Sequence, residues 1–276
     1  MKYNYHTHTS RCNHAIGSDE QYILSAIKAN YNGIGITDHV MLPFIKSSYV
    51  RASYEQKDEY INSIRILQKK YEGQIEIYLG FECEWDNHYQ KYYRQLLDNK
   101  EVDYLIFGNH TCYFKNNQEY GLKITSQKAY LKRYLRNALK AIRSGLFTIM
   151  AHPDMFMSKV KWSPYASKIS HIICKEAKKH NVALELNCGC LINESKKELF
   201  GENRYRYPYD KFWKIAKKYS NIIVVGIEVL GNDIVDNMFG LNKITKRTAG
   251  VRSARIKCSS FGNDKSPCAG GRYSGI

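Results

Sequence analysis

His6 and His8 stand one residue apart near the start of the chain. On an extended segment alternate side chains share a face, so this pair can grip one ion with two imidazole nitrogens. Further donors follow at wide intervals: His14, His39, Glu82, His110, His152 with Asp154, and Glu228. Taken singly, each reads as an ordinary polar residue at the end of a strand. Taken together, they would crowd imidazoles and carboxylates into one place, a cost that a divalent cation removes. Metal chemistry is the expectation. His88, His171 and His180 fall beside or within helical patterns and read as structural or solvated.

The donors owe their common address to the elements before them. Lys2 to Tyr5, Ile34 to Ile36, Ile75 to Leu79, Tyr104 to Phe107 and Phe147 to Met150 are apolar runs of strand length, each running into a donor. Val182 to Asn187 and Ile222 to Glu228 add two more strands. Between them lie segments with apolar residues at spacings of three and four: one around Tyr22 to Ile27, capped by Ser18 with Gln21, and others at Tyr54 to Tyr71, Tyr89 to Leu97, Ser126 to Arg143, Pro164 to His180 and Tyr209 to Tyr219. Alternation of this kind predicts a parallel sheet, and seven such units favour a closed or nearly closed α/β barrel. Donors at the C-terminal ends of barrel strands converge on one mouth.

His6-Thr7-His8-Thr9, Thr37-Asp38-His39, Gly80-Phe81-Glu82, Gly108-Asn109-His110 and Ala151-His152-Pro153-Asp154, in this order, closely resemble the PHP (polymerase and histidinol phosphatase) family from Met1 to about Glu228. The resemblance implies a distorted seven-stranded (β/α) barrel holding two or three divalent ions, zinc, manganese or iron. It implies that His6, His8 and a bridging Glu82 hold one ion, that Glu82, His110 and His152 hold a second, and that His14 and His39 belong to a third. The histidinol-phosphate phosphatase branch is suggested by the Ala-His-Pro-Asp segment and by Asn203-Arg204-Tyr205-Arg206-Tyr207-Pro208-Tyr209. There Arg206 and Arg204 are candidates to bind phosphate through a forked guanidinium, with Lys159 and Lys161 weaker ones. Ions sharing Glu82 would activate water for in-line attack on a phosphomonoester, and Asp154 or a metal-held water would protonate the leaving alkoxide. The implied substrate is L-histidinol phosphate.

One stretch departs from the family pattern. A Gly-x-Asp-Ala-His close is expected after the last strand, whereas this chain has Gly226-Ile227-Glu228-Val229-Leu230. Glu228 can supply a carboxylate on a longer arm and Asp233 is a stand-in, but Leu230 offers no lone pair. An impaired metal-binding protein is one alternative that follows; the family resemblance leaves another, a member acting on nucleotides or nucleic acid, which only the basic tail favours.

The formal charge of +16 would ordinarily suggest a polyanionic partner. Its distribution argues otherwise, since eight basic residues against the single acid Asp264 lie between Lys243 and Ile276. That segment lacks helical or strand periodicity, so residues 1–242 read as a catalytic domain and 243–276 as a basic, disordered or aberrant tail. A small anionic substrate suits the remaining charge and nucleic acid is disfavoured. No segment resembles a signal peptide or a membrane span, which points to the cytoplasm and to free, structural thiols for the eight cysteines.

Overall fold

The computed structural model describes residues 2–45, 50–110, 112–115, 118–121, 126–192 and 195–227. Its strands are β1 (Tyr3–Asn4), β2 (Gly33–Ile36), β3 (Glu76–Cys83), β4 (Tyr104–Phe107), β5 (Cys112–Lys115), β6 (Gln118–Gly121), β7 (Ile149–Met150), β8 (Ala183–Asn187), β9 (Lys197–Leu199), β10 (Glu202–Arg204) and β11 (Ile223–Gly226). Its α-helices are α1 (Asp19–Lys28), α2 (Lys57–Lys70), α3 (Gln90–Asp98), α4 (Gln127–Arg143), α5 (Pro164–Lys179), α6 (Gly189–Ile192) and α7 (Asp210–Lys218). Seven strands form one parallel sheet in the order β1, β2, β3, β4, β7, β8, β11, as the alternating pattern predicts. The pairs β5–β6 and β9–β10 are antiparallel ribbons outside that sheet, and the apolar pattern gave no warning of either.

A side chain joins the two edges of the sheet. Asn4 in β1 donates its amide to Ile227 O at 3.1 Å and accepts from Ile227 N at 3.2 Å, so a carboxamide stands in for the next rung of backbone pairing. The barrel is thereby nearly closed.

Period-two alternation sorts the strand residues onto two sides. In β3, Ile77, Leu79, Phe81 and Cys83 face the helices in the large outer core, while Tyr78 packs with Tyr3, Tyr5, Tyr104, Ile106, Ile149 and Val224 in a smaller core inside the barrel. Glu82 and Glu84 continue the inward phase of Tyr78, which is why two carboxylates lie inside a wall of apolar residues. In β8, Leu184 and Leu186 belong to the outer core, whereas Ala183, Glu185 and Asn187 alternate inward.

Helix ends follow their local chemistry. Ser18 and Gln21 form the anticipated capping box of α1, and α5 starts with Pro164 after the cap Ser163. Strand β3 runs four residues beyond the expected Leu79, because Glu82 still pairs with Ile106 and Val40 N still donates to Glu82 O. Strand β1 is shorter than expected and leaves His6 and His8 just past its end.

Candidate metal centre

Glu82 sits at the middle of the histidines. Its Oε2 lies 3.4 Å from His6 Nε2, 3.3 Å from His8 Nε2 and 3.6 Å from His39 Nε2. Its Oε1 lies 3.2 Å from both His110 Nε2 and His152 Nε2. His6 Nε2 and His8 Nε2 are 3.1 Å apart. Donor atoms about 2.0–2.2 Å from a tetrahedral zinc ion stand roughly 3.3–3.6 Å from one another, so these spacings approach the edges of such a site. His14 packs its ring on those of His8 and His39, with centroids at 5.1 and 5.4 Å, and these three histidines can converge on an ion as well.

The far nitrogens of the rings are already committed. His6 Nδ1 lies 2.9 Å from Glu185 Oε1, His110 Nδ1 lies 3.0 Å from Glu84 Oε1, and His14 Nδ1 lies 2.7 Å from the carbonyl of Cys12. A neutral imidazole has one N–H, and each of these acceptors claims it, leaving a lone pair at Nε2. With both rings neutral, as metal ligands must be, those lone pairs from His6 and His110 meet the lone pairs of Glu82, both of whose oxygens are buried without a hydrogen-bond partner, as is His152 Nε2. A cation resolves that clash of acceptors, and the donor set therefore fits divalent metal.

Charge separates Glu82 from its neighbour Glu84. Burial works against ionising either acid, yet the surrounding imidazoles hold Glu82 well below the usual carboxylate range, and Arg51 with His110 and His39 does the same for Glu84. Glu84 Oε2 accepts from Arg51 Nη2 at 2.9 Å, and that guanidinium is fully buried with Nη1 donating to Val40 O at 2.6 Å. Glu84 thus has its cation, whereas Glu82 faces only histidines. Burial likewise opposes charge on the rings: His39 falls to about 4, while Glu185 with Glu82 raises His6, and Glu82 with Glu84 raises His110, well above the ordinary imidazole value, so that without an ion a proton on these two rings takes the cation's place beside Glu82.

Cys12, Asp38 and His8 form another close triad, but its thiol is satisfied as a thiol. Sγ donates to Asp38 Oδ1 at 3.0 Å and accepts from His39 N at 3.1 Å, and burial with Asp38 pushes the Cys12 pKa well up. Asp38 also receives Thr9 N and Thr9 Oγ1 at 2.6 and 2.7 Å. The triad braces the loop that carries His8.

The structure brings His6, His8, His14, His39, Glu82, His110 and His152 together. Glu228, Leu230 and Asp233 lie outside the described residues, as does the tail. Asp154 is buried two residues after His152, where Oδ2 accepts from Tyr209 N at 2.5 Å and Trp213 Nε1 at 2.9 Å, and burial lifts its pKa to about 6. Arg204 is already committed to protein partners: Nη2 donates to Met157 O at 2.8 Å, Nη1 donates to Tyr205 O at 3.1 Å, Nε pairs with Glu202 at 3.0 Å, and the group covers the Tyr209 ring. Arg206 is exposed over Tyr207, whose ring centroid is 5.5 Å from that of His152. Lys159 and Lys161 are exposed. His88 binds Asp86, His171 binds Tyr219 OH and His180 approaches Glu176, all away from Glu82.

Three residues of the centre escaped the sequence reading. Glu84 repeats Glu82 at the strand period, Arg51 is a guanidinium in a stretch with no helical pattern, and Glu185 interrupts the apolar run Ala183-Leu184-Glu185-Leu186. The lone acid in a buried strand was the one legible clue. Gly108 belongs here too, since a Cβ at that position would collide with Glu82 Oε1 and His110 Cε1.

Among proteins of known description, a "Probable histidinol-phosphatase" of Deinococcus radiodurans is 29% identical over 154 residues, covering 54% of this chain and 59% of that protein's length. The fold superposes on the crystal structure of the "putative histidinol phosphatase hisK" of Listeria monocytogenes with a TM-score of 0.65 at 19% identity, covering 82% of this chain and 94% of that one. It superposes on histidinol phosphate phosphatase from Lactococcus lactis, complexed with zinc, L-histidinol and phosphate, with a TM-score of 0.62 at 16% identity, covering 89% and 93%. The model of the PHP domain matches residues 4–189, which hold every donor of the centre described above, and the chain belongs to the PHP domain family.

Proposed function

We propose that this protein is a metal-dependent phosphomonoesterase of the histidinol-phosphatase type, hydrolysing L-histidinol phosphate to histidinol and phosphate in the cytoplasm as a step of histidine biosynthesis. The observation that carries the reading is Glu82: a buried carboxylate without a hydrogen bond, faced on both oxygens by imidazole nitrogens. The similar proteins named above support the branch.

His6, His8 and Glu82 would hold one divalent ion, Glu82, His110 and His152 a second, and His14 with His39 part of a third; zinc, manganese and iron all suit imidazole and carboxylate donors. Such ions would supply Lewis acidity toward the phosphoryl group and lower the pKa of water toward neutrality. The chain's own residues do the rest. Arg206, exposed beside Tyr207, would offer a guanidinium fork to phosphate oxygens. Asp154 anchors Tyr209 and Trp213, and so fixes the segment on which Arg206 stands. The centre needs no covalent phosphoenzyme.

The test is a panel of phosphomonoesters, including L-histidinol phosphate and a nucleotide, offered to purified protein loaded with manganese or zinc. Preference for histidinol phosphate is expected. Preference for the nucleotide would move the protein to another branch of the family, and no phosphate release from any compound would refute the phosphatase reading.

A further inference from the structure

Glu185 lies on the far side of His6 from Glu82, and it is absent from the donor groups that can close on an ion. It nevertheless reaches both halves of the centre. Oε1 accepts from His6 Nδ1 at 2.9 Å, and Oε2 accepts from the backbone N of His152 at 3.1 Å and from Asn187 Nδ2 at 3.3 Å. We propose that Glu185 is a positioning residue that sets the lone pair of His6 and the backbone of His152 together, and so controls metal affinity on both sides of Glu82. The inference rests on the reading of this site as a metal centre.

Three independent features support it. The first is charge. Glu84, the other carboxylate behind the rings, is neutralised by Arg51, whereas the ion pair that Glu185 makes among the described residues is with His6. A carboxylate buried to 1% exposure and paired with an imidazole draws its Nδ1 proton and makes Nε2 a stronger donor toward a cation. The second is backbone strain. His152 has φ of 28°, a conformation that is strained for an L residue and that persists where neighbours hold it. Its N–H is held by Glu185 Oε2, so the strain that turns His152 toward Glu82 is secured by the same side chain that orients His6. The third is space. A Cβ on Gly226, in the adjacent strand β11, would overlap the carboxylate of Glu185, so glycine there is the residue that lets the acid lie between His6 and His152.

Replacement by glutamine keeps the shape and removes one of two acceptors, so a Glu185→Gln protein can serve His6 or His152 but not both. Full-length wild type and E185Q would be loaded with zinc and challenged with a competing chelator, with circular dichroism and thermal melts recorded alongside. The expected result is zinc affinity about 10–100-fold weaker in E185Q, with turnover of phosphomonoester recovering as free zinc is raised. G226A, which displaces the carboxylate while leaving its chemistry intact, should weaken zinc binding in the same direction. A purely structural role for Glu185 predicts instead a lower melting temperature with unchanged zinc affinity, and that outcome overturns the proposal.

Should E185Q and G226A fail to fold, the wild-type protein still decides the matter. Long-range 15N–1H spectra of the zinc-loaded chain should show His6 protonated at Nδ1. Protonation at Nε2 would overturn the proposal. A wild-type protein that takes up no zinc would remove the metal reading itself, an outcome distinct from wild type and E185Q binding zinc equally.

Discussion

Arg51 and Glu84 form an ion pair 2.9 Å long in which the guanidinium is fully buried, and this pair is what makes Glu84, just past the end of β3, different in kind from Glu82 within it. Glu84 is compensated and acts on the rings of His110 and His39. Glu82, two residues earlier, is left for a cation.

Breaking that pair strands a charge in the interior. Arg51→Met or Glu84→Gln should lower unfolding free energy by about 3–5 kcal/mol, measured by denaturant titration. Arg51→Met combined with Glu84→Leu should recover much of the loss while leaving His110 without its acceptor, so stability returns and metal binding does not. A single variant as stable as wild type would contradict the assignment.

Gly108 tests the centre from its floor. Gly108→Ala puts a methyl where Glu82 Oε1 and His110 lie. The variant should fold, because residue 108 follows the end of β4, but it should carry less metal per chain after dialysis than wild type. Full metal content measured by atomic absorption would show that Glu82 and His110 need not stand where the structure has them.

The two arginines should part company. Arg206→Ala is expected to remove a charge-assisted contact worth about 1.5–3 kcal/mol, raising KM roughly tenfold or more with little change in thermal stability. Arg204→Ala should do the reverse, lowering the melting temperature through loss of Met157 O and the Tyr209 ring. Equal effects on KM from both would return Arg204 to the phosphate site.

Much of this centre was legible in the sequence, because a ligand at the end of an apolar run is a local pattern. His6, His8, His39, Glu82, His110 and His152 all followed from it, and period-two alternation suffices to put Glu82 inside the barrel. What was not legible depends on partners distant in the chain. Glu84 reads as one more acid until Arg51 is folded against it, and Arg204 reads as a phosphate ligand until Met157 and Tyr209 claim its donors. Glu185 differs, since an acid between Leu184 and Leu186 already breaks the rule for a strand buried on both faces. The antiparallel ribbons gave no pattern at all, being short and exposed where β9 and β10 lie.

We propose that residues 1–242 are the catalytic unit and that 243–276 serve no step of it. Removing 243–276 should leave turnover unchanged. A nucleic-acid enzyme would lose salt-sensitive DNA binding on the same deletion, which gel shifts at two ionic strengths would reveal.

Anomalous X-ray scattering at the zinc edge, on crystals of the zinc-loaded chain, decides whether Glu82 is shared between two ions. One peak is expected between Glu82 Oε2 and the Nε2 atoms of His6 and His8, and another between Glu82 Oε1 and the Nε2 atoms of His110 and His152. Peaks elsewhere with none beside Glu82 would contradict it.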